Sequence, residues 1–234
     1  MTLTLTLGLL ATPAYAADSP ERVSTNQNLP ALSVDSMYMV GDGFAEEIRA
    51  YRKSGQYLKD QQFIARKARE HLDRYLVDCE ARGNCRPAIV FDIDDTLLSW
   101  YEVYKKNGFA PTTAQWDQAE ANCTTPVIAP VVRLYNYAKS RGVTPVLITG
   151  RSEPARTITQ ACLAKRGISD YGQLIMRSPA EESMTAAEYK LQQRKALAAQ
   201  GWDLTLTIGD QFSDSAGDVP LGRFVLPNPL YFIP

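Results

Sequence analysis

From Pro87 onward, five short apolar runs, at 88–91, 144–148, 173–176, 204–208 and 223–226, alternate with stretches of helical character. Strands that alternate with helices pair in parallel, because each helix returns the chain to the end where the preceding strand began. Such a sheet is covered by helices on both faces, which is why each run is apolar throughout. Val131, Leu134, Tyr135 and Ala138 mark one intervening helix, stopped by Gly142. Residues 186–200 form another, with Gly201 just past its end. Ahead of the alternation, Phe63, Ile64, Ala68, Leu72, Tyr75 and Leu76 recur at three- and four-residue steps. They predict an N-terminal helical extension with one apolar stripe. With 234 residues, 45% of them hydrophobic, the chain suits a single α/β domain over residues 36–234.

The start, "MTLTLTLGLLATPAYAADSP", holds an apolar run too short to span a bilayer, followed by Ala14-Tyr15-Ala16. This is the small-residue pattern of a signal peptide cleaved near Ala16, although no Lys or Arg precedes the run. Residues 1–16 are therefore expected to be removed, leaving a secreted or periplasmic protein. Residues 17–35 are polar and contain prolines, and they read as a flexible arm. No later segment reaches transmembrane length, so stable membrane insertion is not expected. A net charge of −1 gives no electrostatic reason to expect a nucleic acid polymer as partner. Cys79, Cys85, Cys123 and Cys162 allow three pairings. In an exported chain Cys79 and Cys85 could close a local disulfide around Gly83-Asn84; four buried thiols are the alternative.

Three of the apolar runs end in polar groups at the same relative place. "AIVFDIDDTLLS" delivers Asp92 and Asp94, "VLITGR" delivers Thr149, Gly150 and Arg151, and "TLTIGDQFSD" delivers Asp210 and Asp214. In an open parallel sheet the carboxyl ends of the strands face one crevice, and ligands bind there. Four carboxylates and a hydroxyl are thus expected to converge. Lys190 or Lys195, on the helix before the fourth run, adds a cation. Like charges so close repel, more strongly once water is excluded. All-oxygen donors without His or Cys call for Mg²⁺ as the counterion. Magnesium commonly bridges carboxylates to a substrate phosphate, and a carboxylate can itself attack phosphorus. Other chemistries lack their residues. His71 is the only histidine, no cysteine has an arginine six residues on, and there is no Cys-x-x-Cys or Gly-x-Ser-x-Gly.

The ordered set "FDIDDTLLS", "LYNYAKSRGV", "ITGR", "LIMR", "YKLQQRK", "IGDQFSD" and "LPNPLYFIP" resembles the haloacid dehalogenase (HAD) superfamily. Within it, the chain resembles the acid phosphatase branch of class B-type bacterial enzymes and plant vegetative storage proteins, subfamily IIIB. The resemblance implies a Rossmann-like HAD fold and hydrolysis of small-molecule phosphate monoesters through an aspartyl-phosphate. It implies Asp92 as nucleophile and Asp94 as general acid, then base. Thr149, Gly150 and Lys190 would bind the phosphoryl group. Mg²⁺ would lie between the Asp92 carboxylate, the Asp94 backbone carbonyl and Asp210, with Asp214 close by. Tyr189, Lys190 and Arg194 match the family's Tyr-Lys-x-x-x-Arg, with Lys195 as the alternative lysine. No chemical role is implied for Asp95. A phosphotransferase using the same intermediate, or a non-catalytic storage or binding protein of this fold, are the other readings.

Residues 97–130 fall where the superfamily places a cap, and so short an insert implies a small helical one. It carries Trp100, Tyr101, Tyr104, Phe109 and Trp116. Mutual packing of these rings is expected, the alternative being a stacking wall for an aromatic or nucleobase leaving group.

Overall fold

A computed structural model describes residues 21–22, 38–39, 44–219 and 221–233 of the chain. The expected leader over 1–16 and nearly all of the arm over 17–35 lie outside them. Two short strands, β1 (Glu21–Arg22) and β2 (Tyr38–Met39), precede helices α1 (Ala45–Lys53) and α2 (Gln56–Arg82). Gly55 joins the helices at a φ of 77°, a left-handed conformation open to glycine because it lacks a Cβ. The alternation then begins with β3 (Pro87–Phe91), followed by the cap helices α3 (Tyr101–Lys106) and α4 (Thr113–Ala121). Next come α5 (Ala129–Ser140), β4 (Thr144–Ser152), α6 (Arg156–Lys165) and β5 (Gln173–Arg177). The chain closes with α7 (Ala186–Ala199), β6 (Asp203–Gly209), β7 (Gly222–Val225) and β8 (Tyr231–Phe232).

Each of the five apolar runs contributes a strand to one parallel sheet, in the order β1-β7-β6-β3-β4-β5. β2 and β8 form a separate antiparallel ribbon. From β3 the chain builds outward through β4 and β5, then returns to the other side of β3 with β6 and β7. The order therefore reverses at β3, and a crevice opens beyond its carboxyl end.

Successive strand residues point to opposite faces, so each buried strand feeds two cores. Ile89 and Phe91 join α2, α5 and α6 through Leu72, Val131, Leu134 and Leu163. Ala88 and Val90 join α7 and the loop after β6 through Tyr189, Leu197 and Val219. On α2, Ile64, Ala68, Leu72 and Leu76 form the buried stripe. Phe63 and Tyr75 do not belong to it: Phe63 is 39% exposed, with the Arg66 guanidinium over its ring, and Tyr75 is half-buried, its hydroxyl accepting from Arg82. Ile64 fills the stripe position, and its neighbour lies about 100° around the helix.

A third cluster joins the cap to α1 and to the C-terminal segment around Leu230 and Tyr231. Trp100, Tyr101, Tyr104 and Phe109 pack with Ile48 of α1 and with Leu230 and Tyr231. The cap aromatics thus pack on one another, with Trp100 and Trp116 stacked at a centroid distance of 4.0 Å. Two disulfides brace this frame. Cys79–Cys85, with Cα atoms 5.7 Å apart, ties the end of α2 to the approach to β3. Cys123–Cys162, with Cα atoms 5.3 Å apart, ties the exit of α4 to α6. Among the described residues no helix is long and apolar enough to cross a membrane.

Candidate active site and metal centre

The crevice beyond β3 gathers the sequence-predicted residues from four places. Asp92 leaves the end of β3, its backbone N–H still bonded to the Ile208 carbonyl of β6 at 3.0 Å. The chain then turns tightly: Leu97 and Leu98 N–H both donate to the Ile93 carbonyl at 2.9 Å. Asp95 occupies the left-handed region at a φ of 50°, which aspartate tolerates better than most residues. Its Oδ1 accepts from the Trp100 N–H at 2.9 Å, so this fully buried acid closes the turn. Burial pushes its carboxyl up to about 7.

Thr149 is fully buried, and Gly150 is exposed with open space around it. β4 runs on to Ser152, but its ladder to β5 is irregular after Ile148, where the apolar run stops. β6 ends at Gly209, and Asp210 follows. A Cβ at Gly209 would overlap the Asp214 side chain, so glycine here permits a close approach and is more than a turn residue. The Asp214 carboxylate folds back to accept from the Gln211 N–H at 2.8 Å.

α7 begins with a capping box in which Thr185 and Glu188 satisfy each other's N–H groups. That fixes the helix start and aims Lys190 and Arg194, one turn apart, into the crevice. Lys190 Nζ donates to Asp92 Oδ1 at 2.6 Å and also to Asp214 Oδ1. Arg194 donates to the Asp214 carbonyl at 2.5 Å and to that of Ala216, and so holds the loop in place. Lys195, the other candidate, is 54% exposed and pairs with Asp218 at 2.9 Å.

Asp92, Asp210 and Asp214 each offer a carboxylate oxygen within 4.8 Å of the others, all three buried. The Asp94 carboxylate lies outside this trio. It accepts from Arg151 Nη2 at 2.6 Å, from Arg151 Nε at 3.0 Å and from the Trp100 indole N–H at 2.6 Å. Arg151 also reaches Glu120 of α4 at 3.0 Å and Thr159 of α6 at 3.2 Å. Asp210 has three neutral donors: Asn228 at 2.7 Å, Gln211 at 2.5 Å and Thr96 at 3.3 Å. Glu120 carries no sequence signal of a role in the site. Trp100 stands out only among the cap aromatics, Gln211 only as part of "IGDQFSD", and Asn228 only as part of "LPNPLYFIP", a run without evident chemistry of its own.

These surroundings set the charges. Burial raises the Asp92 carboxyl well above its ordinary value; Lys190 opposes this, while Asp214 and Asp210 add to it. Burial and Asp214 push Asp210 up to about 8. Burial alone would raise Asp94 too, but the Arg151 guanidinium outweighs it and holds that carboxyl below the ordinary range. Lys190 stays protonated because Asp214 and Asp92 overcome its desolvation.

The donor set fits a divalent metal. Three buried carboxylates face one ammonium, so the trio is short of positive charge, and its donors are all oxygen.

A parallel sheet whose strand ends bring together an Asp-x-Asp turn, a threonine, a helical lysine and a distal acid pair defines a HAD-type phosphatase fold. The profile described as "HAD superfamily, subfamily IIIB (Acid phosphatase)" matches residues 15–234, and the chain belongs to that family. Acid phosphatase 1 of Solanum lycopersicum is 32% identical over 201 residues, 84% of this chain and 72% of that protein. Vegetative storage protein 1 of Arabidopsis thaliana is 33% identical over 149 residues, 62% of this chain and 55% of that protein. Among solved structures, the class C acid phosphatase from Bacillus anthracis shares the fold. Its TM-score is 0.64 at 20% identity, over 82% of this chain and 87% of that one.

Proposed function

We propose that this protein is a Mg²⁺-dependent phosphomonoesterase that works through an aspartyl-phosphate on Asp92. The observation that carries the reading is the placement of Lys190 Nζ between Asp92 and Asp214, two members of the buried Asp92/Asp210/Asp214 trio. An Asp92 oxygen attacks the phosphorus of a small-molecule monoester, and the bond to the leaving oxygen breaks. Lys190, the Thr149 hydroxyl and the Gly150 N–H bind the phosphoryl oxygens. Asp94, in its acid form, gives the leaving oxygen a proton; as a carboxylate it then takes one from the water that hydrolyses the acyl-phosphate. Arg151 and Trp100 favour the carboxylate, the form that the second step needs. The Asp92 and Asp210 carboxylates and the Asp94 backbone carbonyl, with Asp214 beside them, would hold Mg²⁺. When bound, the ion neutralises charge on the trio and on the phosphoryl oxygens.

The storage reading draws on the name of the Arabidopsis relative. Against it stands the complete set of nucleophile, acid, lysine and distal acids. Phosphate release from p-nitrophenyl phosphate, lost on chelation and in Asp92→Asn, supports the enzyme. Absence of release at any divalent metal and pH favours storage. Export is part of the same proposal, supported by two disulfides of a kind that persist in oxidising compartments. An intact mass of the secreted protein beginning near Ala17 is the expected result; retained Met1 on a cytosolic protein overturns it.

A further inference from the structure

Every side chain that grips Asp94 is itself held by one face of the cap helix α4. Trp116 and Glu120 lie four residues apart and so project from the same side of α4. Trp116 stacks on Trp100 at 4.0 Å, and the Trp100 indole donates to Asp94 Oδ1 at 2.6 Å. Glu120 accepts from Arg151 Nη1 at 3.0 Å, and Arg151 Nη2 donates to the same Asp94 Oδ1 at 2.6 Å. Two separate chains of contact therefore run from one helical face to one carboxylate oxygen. The far end of α4 is pinned as well. Cys123, just past it, is bridged to Cys162 of α6, and Thr159 of α6 donates to Glu120 at 3.4 Å.

We propose that α4 is the positioning element for Asp94, with Glu120 and Trp116 as positioning residues that act through Arg151 and Trp100. The cap then does more than shelter the cleft: it sets the angle at which the acid–base group meets the substrate oxygen. The proposal rests on the reading of Asp94 as acid and base. Its physical basis is that proton transfer requires a donor–acceptor approach within hydrogen-bond reach, so a small displacement of the carboxylate costs rate without costing substrate binding. Glu120 touches neither the trio nor the phosphoryl site, which makes it the clean place to intervene.

The test is a double-mutant cycle on the full mature protein with its metal. Glu120→Ala should lower kcat on an alkyl phosphate about tenfold and leave KM within about twofold. Glu120→Gln keeps a carbonyl acceptor for Arg151 and should recover most of that rate. In an Asp94→Asn background, Glu120→Ala should cost little more, because the group it positions is already gone. An equal loss in both backgrounds overturns the proposal, since a general weakening of the fold would act regardless of Asp94.

A second readout needs no activity. The indole ¹⁵N–¹H resonance of Trp100, assigned through Trp100→Phe, should move in Glu120→Ala, because Trp100 and Arg151 share one Asp94 oxygen. An unmoved resonance overturns the coupling. A wild-type protein inert towards every phosphate would instead overturn the phosphatase reading, and the resonance would still decide whether α4 controls Asp94.

Discussion

On the β6 side of the turn after β3, Asp92 and Asp214 share one lysine, and Asp210 beside them accepts from neutral donors. On the β4 side, Asp94 accepts from an indole N–H and from an arginine that also holds Glu120 and Thr159. The two aspartates of the Asp-x-Asp turn are thus separated by a single residue and differ in sign of response. Burial raises Asp92 well above its ordinary value, whereas the Arg151 guanidinium holds Asp94 below it. An under-neutralised cluster is a place where a cation gains by binding. A carboxylate with its partners already present gains nothing from one, and its chemistry depends on where it is held. The division between metal side and proton-transfer side follows from where each partner comes from: α7 supplies Lys190 to the first, while the end of β4 supplies Arg151 and the cap segment supplies Trp100 to the second.

The largest effect should come from breaking the proton-transfer side. In Asp94→Asn, an alkyl phosphate should lose the about 10²–10⁴-fold that general acid help supplies. p-Nitrophenyl phosphate, whose leaving group departs without a proton, should give a burst near one equivalent per site and then stall. Equal impairment of the two bursts in rapid-mixing experiments would remove Asp94 from the acid role.

Next in size is the metal side. Mg²⁺ at a hundred times its dissociation constant should stabilise the fold by about 2.7 kcal/mol, read as a rise in Tm. Asp210→Ala should lose most of that rise, and Asp94→Asn should keep it. An undiminished response in Asp210→Ala would put the ion elsewhere. The same side predicts a pH dependence. Asp92 and Asp210 have folded-state values above their unfolded ones, so the native state holds the extra protons. Their contribution is full below the ordinary value of 3.8 and is lost as pH rises through about 8 for Asp210. Without metal, Tm should therefore fall from pH 5 to pH 8. Protons and the cation compete for the same oxygens, so the gain in Tm from Mg²⁺ should grow over that interval. A gain independent of pH would mean that the trio does not bind the ion.

The smallest effect sharpens the boundary between the two sides. Asn228→Ala removes a 2.7 Å donor to Asp210 and touches nothing at Asp94. Partners that orient a metal-binding carboxylate are commonly worth about tenfold or more in affinity. The Mg²⁺ titration of Tm should shift by about tenfold in concentration, with the p-nitrophenol burst of the Asp94→Asn background unchanged in size. An unshifted titration would leave Asn228 as a cap for the Leu230 N–H, which it also accepts at 2.8 Å.

Much of this was legible in the chain itself. The apolar runs predicted every strand from β3 to β7 to within a residue, apart from the extension of β4 to Ser152 beyond its ladder irregularity. Asp92, Asp94, Thr149 and Asp210 share one end of the sheet by sequence alone, because a parallel sheet sends all its strand ends to one edge. Phe63 and Tyr75 fall off the stripe because each adjoins the residue, Ile64 or Leu76, that occupies it.

Local sequence pattern determined the strands β3 to β7, the helices α2, α5 and α7 and thereby the crevice, since burial of an apolar face repeats along the chain and needs no knowledge of the partner. Tertiary structure alone decided which polar group meets which. Glu120 finds Arg151 across 31 residues, Asn228 finds Asp210 across 18, and Cys123 finds Cys162 across 39. Lys190 was favoured over Lys195 only by its fit to the Tyr-Lys-x-x-x-Arg motif; five residues on, about 140° around α7, Lys195 faces solvent. A polar contact is short-ranged and directional and leaves no periodic trace, so it exists only once the elements carrying its two ends have packed.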